Sequence, residues 1–174
     1  VSRVINNAEN GNPEMKERVI EAIAELDYRP NRIAQGLKNK NTNTIGIIVS
    51  NIANSFFMKI SKQIENIVSP SNYSLIMGSS EDDSQKELNY LRLLHEKQVD
   101  GLVISSTGKN EDYLSQVYNS GLPLVLIDRR PADSDFDAVY VDKNKCTSEM
   151  VEYLLAKGHK KIALITGSKD IITN

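Results

Sequence analysis

The sequence predicts an α/β protein with two unlike parts, a small helical unit followed by a larger core built on a parallel sheet. Up to about residue 27, apolar residues recur at the spacing of helices. From Thr44 onward, short apolar runs typical of buried strands alternate with helical patterns. Such alternation implies βαβ crossovers and a parallel sheet covered on both faces. A basic stretch, residues 28–40, connects the two parts and carries four basic residues and no acid.

The composition is that of an ordinary globular protein and excludes several classes. The chain has 174 residues, of which 40% are hydrophobic and 25% charged, with a net charge of −2. No apolar run approaches the roughly 20 residues that a membrane helix needs. The single cysteine, Cys146, excludes an internal disulfide, suggests no cysteine-based metal site and fits a reducing compartment. Because the chain begins at Val1 without an initiator methionine, we expect it to be a piece of a longer protein.

The amino-terminal unit is predicted to contain two helices. Residues 1–7 have the pattern of a helix end, and Asn12 followed by Pro13 is a helix start, with Asn12 as N-cap and proline at the first helical position. From residue 13 to residue 26 the apolar residues fall on one face of the predicted helix. Because an isolated helix of this length is marginal in water, it is expected to pack against another helix.

The basic connector has two possible roles. Pro30 disfavours helix at Arg29 and permits a short helix over residues 31–39, followed by a polar linker to residue 43. Gly36 lowers the stability of that helix by about 1 kcal/mol relative to alanine, so the helix is not expected to hold by itself. From its own residues the stretch can be an idle linker or a contact for a polyanion.

The core is predicted as strands and helices in alternation. The predicted strands cover residues 45–49, 73–77, 102–104, 124–127, 139–141 and 162–165. The predicted helices cover residues 56–68, 87–97, 111–119 and 145–156.

Polar residues follow several of these strands, at the edge where open parallel sheets bind ligands. Most of these exits consist of serine, threonine and glycine, but the strand at residues 124–127 ends in Asp128, Arg129 and Arg130. A carboxylate beside a fork-shaped donor suits the hydroxyls of a small polar molecule such as a sugar. Polar residues also end strands throughout α/β proteins, so the residues alone leave both interpretations open.

Several phrases of the sequence, in order, resemble those of the LacI/GalR family of bacterial transcription regulators. They are Val-Ser-Arg-Val-Ile-Asn at residues 1–6, Tyr-Arg-Pro-Asn-Arg-Ile-Ala at 28–34, Thr-Ile-Gly-Ile-Ile-Val at 44–49, Asn-Ser-Phe-Phe at 54–57, Val-Asp-Gly-Leu-Val at 99–103 and Gly-His-Lys-Lys-Ile-Ala at 158–163. Each phrase is weak alone, but together they cover the chain with family-like spacing.

The resemblance implies four segments. Residues 1–27 would be part of a helix-turn-helix headpiece, and residues 28–43 a hinge helix and linker. Residues 44–141 would be the first subdomain of a periplasmic-binding-protein-like core, and residues 142–174 the start of its second subdomain.

The resemblance further implies a cytoplasmic homodimer that binds double-stranded operator DNA. Arg3 would read a base edge, as arginine can bind guanine bidentately. Leu37 would wedge into a base step of the minor groove and kink the duplex, while Ala34 would let two hinge helices approach closely. Ser2, Tyr28 and Asn31 would contact phosphates. The residues expected at DNA are Ser2, Arg3, Asn6, Tyr28, Asn31, Arg32, Ala34 and Leu37.

A small-molecule effector, expected to be a carbohydrate, would bind between the two core subdomains. The residues expected there are Phe56, Phe57, Asp128, Arg129 and Thr173. At least one of the two phenylalanines can equally be ordinary packing at a helix start. The hinge would fold only on DNA, and the effector would permit or prevent that folding.

Two other classes of protein are alternatives to a transcription regulator. For an enzyme, the sequence has no Gly-x-Ser-x-Gly elbow, no glycine-rich phosphate loop and no metal-ligand spacing, so no catalytic activity, metal or cofactor is predicted. Cys146 is predicted to be structural. A periplasmic-type sugar-binding protein would share the core and the Asp128–Arg129 pair, but it would have no use for residues 1–40.

Overall fold

The computed structural model describes residues 13–26, 28, 41–131 and 135–165, in two compact units, Val1–Lys40 and Asn41–Asn174. In the first unit, helix α1 (Pro13–Glu25) begins at the predicted proline. Its end is closed by the backbone N–H of Tyr28, which donates to the carbonyl of Ile23 at 3.0 Å. The predicted hinge helix and the helix end at residues 1–7 lie outside the described residues.

The second unit contains a five-stranded parallel sheet. Its strands are β1 (Thr44–Val49), β2 (Ser74–Ser79), β3 (Gly101–Ile104), β4 (Leu124–Ile127) and β5 (Asp137–Val139). They lie in the order β2-β1-β3-β4-β5. The chain moves from β1 to β2 on one side and then to β3 on the other, so the winding direction reverses between β1 and β3. In open α/β sheets, ligands bind outside the carboxyl ends of the strands at such a reversal.

The second unit also contains four helices within its described residues, three of them in connections between strands and the fourth after β5. They are α2 (Ser55–Val68), which continues into a 3-10 turn (Ser69–Ser71), α3 (Ser84–Glu96), α4 (Glu111–Asn119) and α5 (Lys143–Ala156). Three of them begin at a side chain that accepts from a backbone N–H of the first turn, namely Asn54, Asp83 and Asp142. These caps satisfy N–H groups that have no partner within the helix.

The apolar core has a cluster on each face of the sheet. On one face, Ile48 and Ile104 pack with Leu91 and Leu94 of α3. On the other face, Ile47 packs with the residues of the second cluster, which are Val49, Phe57 and Ile127. Because successive residues of β1 enter opposite clusters, its apolar run is continuous rather than alternating.

One predicted strand is wrong, and another is shifted. Residues 162–165 form no strand, and Ile165 is 98% exposed. A strand needs a hydrogen-bonded neighbour, and within the described residues no strand pairs with this segment. β5 lies two residues before its predicted position, because its last residue, Val139, pairs with Ile127, the last residue of β4. Within the described part of the chain, no helix has the length and apolar character to cross a membrane.

Candidate functional site

The carboxyl ends of β1 to β4 bring the predicted polar exits to one edge of the sheet. The N–H of Ser80, just after β2, donates to the carbonyl of Val49 at 2.9 Å. The N–H of Ser105, just after β3, donates to the carbonyl of Ile48 at 2.8 Å. These bonds prolong the pairing of the strands and align the segments that follow them.

A cluster of four charged side chains lies at this edge and is called the charged cluster; it consists of Asp82, Asp128, Arg129 and Lys143. Arg129 Nη1 donates to Asp82 Oδ1 at 2.5 Å. Lys143 Nζ donates to Asp128 Oδ1 at 2.9 Å and to the Asp128 carbonyl oxygen at 3.3 Å. The cluster therefore joins three segments: the turn after β2, the end of β4 and the start of α5.

Shielding from solvent is uneven across the charged cluster and is greatest at Arg129. The exposed fraction of the side chain is 8% for Arg129, 18% for Asp128, 33% for Asp82 and 36% for Lys143. A charge as buried as that of Arg129 is costly unless an opposite charge is close. Each of the four has such a partner, and the two positive charges balance the two negative ones.

The backbone at Asp128 is held in an uncommon conformation. Asp128 has φ of 65°, and the N–H of Arg129 donates to the carbonyl of Ile127 at 2.7 Å. This three-residue turn with positive φ at its centre is the rare, strained form of the γ-turn. Such strain costs about 1–3 kcal/mol and is concentrated at functional sites. The turn directs the Asp128 and Arg129 side chains to separate partners.

The polar groups after β3 are engaged by a buried carboxylate that the sequence analysis missed. Glu87 of α3 is fully buried. It accepts hydrogen bonds from Thr107 N at 2.6 Å, Thr107 Oγ1 at 3.0 Å, Asn110 Nδ2 at 2.9 Å and Ser106 Oγ at 3.4 Å. Ser106 and Thr107 therefore have a structural role. This agrees with the interpretation that polar residues end strands throughout α/β proteins without binding a ligand. The available signal was an acid four residues before Leu91 on the apolar stripe of a helix.

The two phenylalanines predicted at the effector site differ in their exposure to solvent. Phe57 is 3% exposed and belongs to the core cluster with Ile47. Phe56 is 46% exposed at the start of α2, and its ring meets that of Phe57 edge to face at 5.1 Å. Phe56 is therefore the phenylalanine whose surface a ligand can reach. Thr173 lies outside the described residues.

A polar cavity adjoins the charged cluster. It has a volume of about 350 Å³ and lies between Arg130–Pro131 and residues 140–144, with Lys143 in its lining. Asp142, also in the lining, accepts from Lys145 N at 2.9 Å and so caps α5. The cavity places a small-molecule space beside the predicted effector residues Asp128 and Arg129.

Only one of the residues predicted at DNA, Tyr28, is among the described residues. Its side chain is 49% exposed, and it lines an apolar depression of about 440 Å³ together with the apolar face of α1. The other seven residues predicted at DNA are Ser2, Arg3, Asn6, Asn31, Arg32, Ala34 and Leu37, and all lie outside the described residues.

Comparison with known protein families places the two parts of the chain in one family. The family model of bacterial regulatory proteins of the lacI family matches residues 1–31. The model of periplasmic binding proteins and the sugar binding domain of the LacI family matches residues 42–173, about three quarters of the chain. The chain belongs to the LacI family. This confirms the resemblance and the predicted fold class, a parallel α/β core.

Individual relatives agree with this assignment. Catabolite control protein A of Priestia megaterium is 34% identical over 170 residues, which are 98% of this chain and 51% of the relative. The crystal structure of the Lac repressor dimer bound to operator and the anti-inducer ONPF matches with a TM-score of 0.80 at 26% identity, over 98% of this chain and 52% of the repressor. The Cra transcriptional dual regulator of Pseudomonas putida, solved in complex with fructose 1-phosphate, matches with a TM-score of 0.61 at 28% identity, over 66% and 43% of the two chains.

The chain spans about half the length of the curated relatives it matches. One of these relatives, RegA of Clostridium saccharobutylicum, is an HTH-type transcriptional regulator and is 37% identical over 98% of this chain and 51% of its own length.

Proposed function

We propose that this chain is part of a ligand-responsive transcriptional regulator, a repressor, that binds double-stranded operator DNA as a cytoplasmic homodimer. One observation carries the proposal: the regulatory-protein model and the sugar-binding-domain model match the same chain in sequence order. The Lac repressor, whose structure this chain resembles, was solved as a dimer on operator DNA.

On the DNA side, the proposal assigns the headpiece to residues 1–27 and the hinge to residues 28–43. Arg3 reads a base edge in the major groove, and Leu37 enters a base step in the minor groove. Ser2, Asn6, Tyr28, Asn31 and Arg32 position the backbone, and Ala34 permits close approach of the paired hinges. The half-exposed side chain of Tyr28 is consistent with a phosphate contact.

On the effector side, the α/β core binds a carbohydrate at the carboxyl edge of the sheet. Asp128 accepts from sugar hydroxyls and Arg129 donates to sugar oxygens, while Phe56 offers an apolar surface to the ring. Thr173 is assigned to the same pocket by family position, and Phe57 supports it from the core. The carbohydrate class is supported by the match to the sugar binding domain of the LacI family.

The two sites are coupled through the hinge. Residues 31–39 are too short, and too weakened by Gly36, to form a stable helix alone. Folding is therefore coupled to pairing of two hinges over the minor groove, and an effector that changes the core shifts that equilibrium. Amide hydrogen exchange tests this: residues 33–38 should exchange rapidly without DNA, and strong protection without DNA would contradict the mechanism.

Fluorescence anisotropy on the intact protein tests DNA binding. The probe is a duplex selected from a random-sequence pool, compared with an unselected duplex. Binding should weaken by about 10³-fold or more between 50 and 200 mM salt if six or more phosphates are contacted. Arg3→Ala should reduce the preference for the selected duplex, whereas Lys62→Ala, which removes an exposed lysine of α2, should not.

A periplasmic-type sugar-binding protein without DNA binding is the alternative. The match of residues 1–31 to a regulatory-protein model argues against it. Absence of salt-sensitive binding to every duplex, together with sugar binding, would favour this alternative.

A further inference from the structure

Asp128 and Arg129 are each held by a residue from another segment. Arg129 is bound by Asp82, which lies 47 residues earlier in the turn between β2 and α3. Asp128 is bound by Lys143, the first residue of α5. Neither Asp82 nor Lys143 belongs to the residues that sequence similarity pointed to.

The two neighbouring side chains are not hydrogen-bonded to each other. Arg129 Nε and Asp128 Oδ2 are 3.9 Å apart, beyond hydrogen-bond distance. Without other partners, the Asp128 carboxylate and the Arg129 guanidinium would pair with each other, and their acceptors and donors would not be available to a ligand. Asp82 holds Arg129 and Lys143 holds Asp128, and Asp128 Oδ2 accepts no hydrogen bond from Arg129 Nε.

The turn that carries Asp82 is shaped for this contact. Glu81 and Asp82 both have positive φ, 54° and 58°, which is uncommon for residues other than glycine. The N–H of Asp83 donates to the carbonyl of Ser80 at 2.9 Å and closes the turn. The uncommon conformation brings the Asp82 carboxylate onto the largely buried guanidinium of Arg129.

The charged cluster has no net charge. Arg129 is compensated by Asp82, and Lys143 by Asp128. A sugar hydroxyl both donates and accepts without changing this balance. A phosphate or carboxylate would bring a further negative charge to a partly desolvated site whose cations are already paired.

Building on the proposed carbohydrate effector, we propose that Asp82 positions Arg129 for the effector and, by balancing its charge, makes the site select neutral sugars over phosphorylated or carboxylated ones. Asp82 acts through Arg129 and does not itself touch the ligand. Removing its charge leaves Arg129 uncompensated, so the preference should move toward anionic sugars.

The test compares intact wild-type protein with Asp82→Asn, Asp82→Glu and Glu81→Gln. Glu81→Gln is the matched control: it removes a negative charge from the same turn, but Glu81 binds Lys86 at the surface, a hydrogen bond that raises the pKa of Lys86. Titration calorimetry measures the affinity for glucose and glucose 6-phosphate, for fructose and fructose 1-phosphate, and for gluconate.

The wild-type protein should bind the neutral member of a pair more tightly. Asp82→Asn should lower the ratio of the affinity for the neutral sugar to the affinity for the anionic sugar by about tenfold or more. This is the magnitude of one hydrogen bond to a charged group. Asp82→Glu should retain part of the preference, and Glu81→Gln should retain all of it. A merely structural loss would weaken both members equally, and that result, or a wild-type preference for the anionic member, would overturn the inference.

A second measurement does not need a sugar. It follows the NMR signal of the Arg129 side-chain Nε–H, which is identified by its disappearance in Arg129→Lys. This signal should report slow rotation about Nε–Cζ in the wild type and fast rotation in Asp82→Asn. Unchanged rotation would refute the positioning role. If no sugar of the panel binds, the proposed carbohydrate effector fails, while the rotation measurement still decides the role of Asp82.

Discussion

Replacing Glu87 by leucine removes the acceptor on which the segment after β3 depends. The carboxylate is fully buried and accepts from Thr107 N, Thr107 Oγ1, Asn110 Nδ2 and Ser106 Oγ. The two hydroxyls can turn to other acceptors, and Asn110 keeps its bond to the carbonyl of Ser84 at 2.9 Å. The N–H of Thr107 cannot turn away, and within the described residues it donates to Glu87 alone.

The cost follows from these contacts. A buried N–H left without an acceptor costs about 1–3 kcal/mol, and the two neighbouring bonds of ordinary length, from Thr107 Oγ1 and Asn110 Nδ2, add about 1 kcal/mol each. Glu87→Leu should therefore lower the free energy of unfolding by about 3–5 kcal/mol. Glu87→Gln keeps one oxygen for Thr107 N, and its amide can donate to the hydroxyls, so its cost should be about 1–2 kcal/mol. Glu96→Gln, an exposed change in the same helix, should stay within about 0.5 kcal/mol.

Urea unfolding of the intact protein, followed by circular dichroism, measures these differences. With a slope of about 2 kcal/mol/M, a loss of about 4 kcal/mol lowers the midpoint by about 2 M. The reasoning would be refuted by equal losses for Glu87→Leu and Glu87→Gln, because the lost charge rather than the lost acceptor would then set the cost. A loss for Glu87→Leu no larger than that for Glu96→Gln would refute it as well.

Three further changes test other parts of the chain. Gly78→Ala should destabilise the core by about 1–3 kcal/mol, because the new Cβ would lie 2.6 Å from Cδ1 of Tyr90; in urea unfolding, the cost should shrink in a Tyr90→Leu background. Asp83→Ala should cost about 1 kcal/mol by removing the cap of α3, and an accompanying tenfold loss of sugar affinity would contradict a purely capping role. Leu37→Ala should weaken anisotropy binding to a selected operator but not to an unselected duplex; equal loss on both would contradict the wedge.

Local signals in the sequence were enough to place most elements. The bounds of α4 and β4 are those predicted, because a polar helix start and a short apolar run mark them in the sequence itself. α3 begins three residues before its predicted start because Asp83 accepts from Lys86 N at 2.7 Å and caps it there. The strand predicted at residues 162–165 failed because an apolar run becomes a strand only beside a partner, and a partner is not a local property.

The candidate site was predicted in part. The rule that parallel strands end at one edge placed Asp128 and Arg129 correctly at the carboxyl edge of the sheet. It could not distinguish Phe56 from Phe57, since the helix phase that buries one and exposes the other depends on how α2 packs against β1. The roles of the DNA-contacting residues and of Thr173 stay predictions.

The sequence by itself determined the α/β class, the family and the position of the Asp128–Arg129 pair, because periodicity, caps and motif spacing are properties of neighbouring residues. Only the tertiary structure decided which groups hold that pair and which hydroxyls form hydrogen bonds within the protein. Asp82 and Arg129 are 47 residues apart, Glu87 and Thr107 are 20 apart, and Asp128 and Lys143 are 15 apart. Such contacts exist only once crossover connections bring the ends of β2, β3 and β4 to one edge of the sheet.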